Sequence, residues 1–264
     1  MNDKNLMREK MKQMTSARAL VLSAVSTALI GIGMNALAHT RLDIPTMVEG
    51  TRTINHVVIT HSCGDTKRTI GTSVVFPDGV DSTILVGGQP HTGSLTDFVE
   101  NWGNTNQMIM NKAVFAVGDE KTQNGNVVGF WAGGGEGMPN NLYSTVPFRA
   151  SAVNIAAASC AKSVKFYVSI VDICEITGID ELRAGTGEAG GVANLWTHNN
   201  LGTPYDRVSA TDDGPASLVI TRDLTKKPLP ESCGAGVDVE VKPSAAQINR
   251  DMPIIYNGQQ VWPK

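Results

Sequence analysis

Apolar positions along this chain recur with a period of two far more often than with the helical 3.6. The alternation is clearest at Asn55 to Thr60 (NHVVIT), Thr69 to Phe76 (TIGTSVVF), Val164 to Cys174 (VKFYVSIVDIC), Ala216 to Thr221 (ASLVIT) and Val237 to Val241 (VDVEV). Such runs predict strands, because successive side chains of a strand point to opposite faces. Between them stand Pro77-Asp78-Gly79, Gly87 to Pro90, Gly133 to Pro139, Gly185 to Gly191 and Asp212 to Pro215, all read as turns. Many short strands so punctuated, without the helices that a parallel sheet requires, predict an all-β antiparallel sandwich. One short helix is expected near Ser94 to Asn101. The polar tail from Pro243 to Lys264, with its three prolines, is expected to lie extended over the surface or loose.

The first 38 residues depart from this pattern. Lys4, Arg8, Lys10, Lys12 and Arg18 outnumber Asp3 and Glu9, the stretch Ala19 to Met34 is uncharged, and Ala36 and Ala38 flank Leu37. A basic segment, an apolar segment and small residues at a cleavage point read as a signal peptide over residues 1–38. The apolar run falls short of the ~20 residues that span a bilayer, and no later segment is apolar enough to anchor the chain. The expectation is an exported protein, periplasmic or extracellular, soluble and without a membrane span once the signal is cleaved. It would consist of a sandwich over 39–199 and an extension over 200–264, the change falling before the proline-broken Lys226 to Pro230, with the extension available to complete the sandwich.

Composition then narrows the partners. Lys and Arg total 22 against 25 Asp and Glu, and the isoelectric point is near 5.9. Removing the signal takes away five basic and two acidic side chains and leaves 17 against 23, an acidic surface with no footprint for a phosphate backbone, so nucleic acid is not expected as a partner. All four cysteines, Cys63, Cys160, Cys174 and Cys233, lie in the exported part and no CxxC spacing occurs. An oxidising compartment makes two disulfides the expectation, with three pairings open.

Cleavage after Ala38 would give His39 a primary amine beside its imidazole. The amine and Nδ1 can close a six-membered chelate ring, and tetragonal nitrogen donors suit Cu(II). The amine titrates near ~7.7 to 8.0 in model peptides, so a metal displaces only one weakly held proton at neutral pH.

On Ala38-His39, Pro45, Gly50, Val58 to Gly64 (VITHSCG), Ile70 to Gly79 (IGTSVVFPDG), Trp131 to Gly134, Leu142-Tyr143, Phe148 and Phe166 to Glu175 (FYVSIVDICE), the chain resembles the YcnI family of exported copper-binding domains over about residues 38 to 200. Thr60 and Ser62 stand where that family has Pro and Gly. The resemblance implies an immunoglobulin-like β-sandwich, a brace formed by one histidine, a carboxylate as further ligand and a nearby tryptophan. His39 takes the brace position. Thr53 stands where some members have Glu, which makes Glu49, four residues earlier, the expected carboxylate, with Asp43 as its rival. Trp196 is preferred over Trp131 for the aromatic position. His56 and His61 are further imidazoles, on opposite strand faces and so not expected to share an ion. The resemblance also implies a Cys63–Cys174 disulfide, leaving Cys160 with Cys233.

Other motifs carry less. Met108 and Met110 offer thioethers on one strand face, though methionine is more often a gap filler. The glycines of Gly133 to Gly137 lack the ending of a phosphate loop. Ser62 and His61, as strand neighbours, do not converge as a catalytic pair. His91 and His198 sit in turn-like contexts and are expected to be solvated. The function expected is non-enzymatic copper binding, with the ion stored or passed to an exported copper-receiving protein. The alternatives are a copper-dependent oxidative enzyme resembling the lytic polysaccharide monooxygenases, which add a second His and a flat aromatic face, or a metal-free structural sandwich.

Overall fold

The computed structural model describes residues 39–184 and 191–264; the signal peptide expected over residues 1–38 lies outside them. The strands in chain order are β1 (Arg41–Leu42), β2 (Thr46–Val48), β3 (Arg52–Ile59), β4 (Thr69–Val75), β5 (Ser82–Val86), β6 (Gln89–Pro90), β7 (Val99–Glu100), β8 (Asn106–Met108) and β9 (Val117–Gln123). They continue with β10 (Asn126–Met138), β11 (Ser144–Ser151), β12 (Asn154–Ile155), β13 (Ala161–Ile173), β14 (Ala193–Trp196), β15 (Ala216–Thr221), β16 (Val237–Pro243), β17 (Ile254–Tyr256) and β18 (Gln259–Trp262). The described residues also form two short α-helices, α1 (Ile179–Ala184) and α2 (Ala245–Asp251). The helix expected near Ser94 is a single 3₁₀ turn, Leu95–Asp97, closed by a capping box between Ser94 and Asp97.

A four-stranded sheet, β1-β3-β11-β8, faces a ten-stranded sheet whose path runs β6-β5-β16-β13-β4-β10-β9. The long β13 organises the second sheet. Its first half lies between β16 and β15, and its second half between β4 and β14. The fold is thus an all-β sandwich, mostly antiparallel, with parallel pairs at β13–β16 and β15–β2. Residues 200–264 contribute β15 and β16 to the large sheet.

Alternation decides which face of each strand is covered. Val74, Phe130, Phe166, Val168 and Ile170 point inward against Val57, Ile59, Val146 and Phe148 of the small sheet. Their neighbours Val75, Trp131, Val171 and Ile173 point outward into a second apolar layer. That layer is built by the tail: Ile248, Met252, Ile254 and Trp262 are buried there. Expected loose or extended, the tail instead forms α2 and the β17–β18 hairpin, because Val75, Trp131 and their neighbours leave an apolar strip that needs a cover.

Gly133 to Pro139 is a second correction. Most of it, Gly133 to Met138, is strand, the end of β10. Gly134, Gly135 and Gly137 have φ of +74°, +76° and +71°, and the pairing with β4 shifts register between Gly133 and Met138. These glycines form a bulge in a continuing strand rather than a chain reversal. The actual reversal, between β9 and β10, is made by Asn124-Gly125, both at positive φ, which is hairpin turn chemistry.

Both disulfides are present, Cys63–Cys174 and Cys160–Cys233. No described helix is long and apolar enough to cross a membrane.

Candidate metal centre

Register places His39. β1 runs antiparallel to β3 with Arg41 opposite Val58, and carrying that pairing two residues outward sets His39 beside Thr60 and His61. On the large sheet Trp196 lies opposite Ile170, so its ring shares the inward face and reaches diagonally to Asp172. The result is a cluster at one end of the sandwich. The His39 and Trp196 rings lie 4.6 Å apart at 36°. His61 meets the same indole edge-on at 5.7 Å.

Beneath the rings is a carboxylate that the sequence reading missed. Asp172 is fully buried. Its Oδ2 accepts from Trp196 Nε1 at 2.7 Å and from Thr40 Oγ1 at 2.5 Å, and its Oδ1 accepts from Thr72 Oγ1 at 2.9 Å. Burial raises its pKa above the ordinary 3.8; the three hydrogen bonds and the nearby His61 oppose that rise without cancelling it. The signal was legible in principle: an acidic residue stands at an inward position of an otherwise apolar run, and a charge there must be held by specific partners.

His61 Nδ1 lies 2.8 Å from the Ser62 carbonyl oxygen. A carbonyl only accepts, so Nδ1 donates, and in the neutral ring it is Nε2 that holds the lone pair. That Nε2 is buried with no hydrogen-bond partner. A backbone bond that fixes the tautomer and aims the other nitrogen is the support ligating histidines commonly have. The Cys63–Cys174 disulfide joins the two segments, lying two residues beyond both His61 and Asp172.

Arg207 closes the cluster. Its guanidinium carbon lies 5.1 Å from the Trp196 ring centroid and Nη2 is 3.4 Å from His39 Nε2. Since guanidinium cannot accept, this long contact favours the His39 tautomer with its proton on Nδ1, the nitrogen a brace would use.

Glu49 is not in this cluster. It follows β2, at the opposite end of β3 from His61, and β3 is eight residues long, which at ~3.3 Å per residue puts the two ends more than ~20 Å apart. Its carboxylate accepts from Lys227 Nζ at 2.7 Å and from the amides of Ile155 and Asp223 at 2.8 and 3.0 Å. Burial alone would raise its pKa; the Lys227 bond and the two amides outweigh that and hold it below the ordinary 4.5. The expectation of Glu49 as the metal carboxylate is therefore corrected: the β2–β15 pairing carries it away from His39 and its oxygens are already taken.

Trp131 belongs to the outer apolar layer, packed against Tyr256, so of the two tryptophans only Trp196 contacts His39. His56 and Asp43 sit together at 3.4 Å, separate from His61, as strand parity requires. His91 pairs with Asp97 at 2.8 Å. His198, expected to be solvated, is 1% exposed and bound through Nδ1 to Asp212 at 2.9 Å; burial drives its pKa down and the Asp212 bond opposes this. Met108 is half-buried and Met110 is 86% exposed.

Among the described residues, no three His, Cys, Asp or Glu side chains surround a common point. A brace, however, takes two donors from one residue. The nitrogen donors at this end of the fold are those of His39 and the unpartnered Nε2 of His61, a donor type that suits copper, and His39 would offer two of them only if its amine were free.

No family model matches the chain, and no curated protein matches it. Among solved structures, a match was found to an uncharacterized protein from Nocardia farcinica described as having an immunoglobulin-like fold. It is 13% identical, covers 70% of this chain and 99% of that one, and superposes with a TM-score of 0.33.

Proposed function

We propose that this protein is an exported copper binder that stores the ion or hands it to another exported protein, with His39 as its bidentate N-terminal ligand. The observation that carries the reading is the His39–Trp196–Asp172 stack with the unpartnered Nε2 of His61 beside it. Ring stacking on Trp196 restrains the His39 imidazole. Thr40, bonded to Asp172, holds the backbone that follows it. His61 supplies an imidazole whose tautomer is already correct for ligation. Asp172 places negative charge beneath the site, where it would favour a bound cation. Copper here is cargo, and exchangeable nitrogen ligands at the end of the sandwich suit transfer by ligand substitution.

The test is Cu(II) titration of a chain that begins at His39 against one carrying a single extra Gly ahead of it. Loss of at least tenfold in affinity is expected from the added residue, because the amine is displaced from its ring. Equal affinities would overturn the brace. A second reading, the oxidative enzyme, is favoured by His61 alone, since that class adds a second imidazole to its brace. Peroxide-driven turnover of a polysaccharide by the copper-loaded chain would select it over the carrier.

A further inference from the structure

At the far end of β3 from His39, a polar cavity of about 400 Å³ opens where the loop before β3, the turn after β7 and the end of β11 converge. Arg52, Arg149, Ser151, Asn101, Asn104 and Asn154 supply its polar groups. Register brings the two arginines together: Arg52 lies opposite Ser151, and Arg149 is two residues earlier on β11 and so on the same face. Such diagonal neighbours lie ~7 to 8 Å apart, within reach of a shared ligand. Backbone bonds from Ser151 to Thr105 and from Ala152 to Thr51, each 2.9 Å, fix the walls.

The charge balance of this cavity is unlike the rest of the molecule. No lining residue is Asp or Glu, and neither Arg52 nor Arg149 enters an ion pair among the described residues. The Nε of Arg149 is buried without a hydrogen-bond partner. Arg222 and Arg250, by contrast, are saturated: Arg222 donates to six backbone carbonyls, and Arg250 binds Asp78, Asp81 and Asp251. Glu49, next to the cavity in sequence, is occupied by Lys227. Two unpaired guanidiniums on an acidic domain create a local positive field, and a buried donor left unmatched is a cost that a ligand oxyanion removes.

We infer that this cavity binds a small hydroxylated carboxylate, of the class of a uronic acid. The guanidiniums match a carboxylate in fork geometry. The three asparagine amides and the Ser151 hydroxyl both donate and accept, which is what vicinal hydroxyls need. The volume exceeds what a bare inorganic oxyanion fills. The inference does not depend on copper, since the cavity and His39 lie at opposite ends of β3.

Calorimetric titration of the full secreted chain with glucuronate, glucose and inorganic phosphate tests it. Glucuronate should bind saturably, with glucose and phosphate each at least tenfold weaker. Arg149→Gln and Arg52→Gln should each weaken glucuronate at least tenfold while thermal stability stays unchanged; Arg52 is exposed, so its variant guards against a folding artefact. Absence of glucuronate binding, or full affinity in both variants, overturns the site. Glucose as tight as glucuronate overturns the role of the arginines, and phosphate as tight as glucuronate overturns recognition of the hydroxyls.

Discussion

Glu49 and Asp172 are both buried carboxylates, yet the molecule uses them in opposite ways. Glu49 is neutralised by a cation, Lys227, and by two amides, and its pKa is depressed. Asp172 is held only by neutral donors, the hydroxyls of Thr40 and Thr72 and the indole of Trp196, and its pKa is raised. A carboxylate whose charge is already balanced is a structural clasp. One whose charge lacks a paired cation favours the approach of another positive group. Of the two carboxylates, the difference favours Asp172 for the metal side of the proposed copper site.

The largest effect that could break this contrast is on stability. Glu49→Ala would strand the Lys227 ammonium, itself about one third exposed, and two amides, and each donor left unsatisfied costs about 1 to 3 kcal/mol. Denaturant midpoints should show that loss while Cu(II) affinity stays within a factor of two. A large fall in copper affinity with stability intact would return Glu49 to the metal site.

Next in size is an opposition in pH dependence. Glu49 has a lowered folded pKa, so its contribution is present above the unfolded value of 4.5 and is lost as pH falls through the folded pKa. Asp172 has a raised folded pKa, so its contribution is full below 3.8 and is lost as pH rises through the folded pKa. The stability difference between wild type and Glu49→Gln should therefore grow as pH rises through the acid range, and that between wild type and Asp172→Asn should shrink. Parallel slopes for the two variants would erase the distinction.

The contrast also explains what the sequence made legible. The alternation of Val164 to Cys174 gave the central strand, and parity within it separates Ile170, facing the small sheet, from Val171, facing the tail. Asp172 was hidden in the same run because alternation reports which face a residue takes, not what waits on that face. Thr40, Thr72 and Trp196 converge on it from separate strands, and no local spacing encodes that meeting. Glu49 attracted attention through its distance from Thr53 along the chain, whereas the turn and the parallel β2–β15 pairing decide where it goes. The tail was misjudged for a related reason: its prolines and polar residues describe its solvent side, and the strip it covers belongs to β4, β10 and β13, far earlier in the chain.

A smaller effect tests the link between ring and carboxylate. Trp196→Phe retains an aromatic surface for His39 and removes the Nε1 donor, leaving Asp172 with two hydroxyl bonds. A lost hydrogen bond to a buried acceptor costs about 1 to 3 kcal/mol, and the Asp172 carboxyl should titrate still higher. Copper affinity should drop only a fewfold, because the brace atoms are untouched. If stability is unchanged, the indole bond does not hold Asp172.

The smallest expected effect concerns Arg207, the cation that stands beside His39. Its long contact with Nε2 favours a proton on Nδ1, and binding a metal through Nδ1 would turn Nε2 into a donor facing another donor. Arg207 must therefore withdraw toward Asp213, already 3.5 Å from its Nε, before the brace closes. Arg207→Gln removes both the charge and part of that conflict, so Cu(II) affinity should rise about threefold, equivalent to about 0.7 kcal/mol, with a smaller dependence on ionic strength than wild type shows. A fall in affinity would mean that Arg207 positions the His39 ring for the metal, and the cluster would then work by orientation of the imidazole more than by the charge of Asp172.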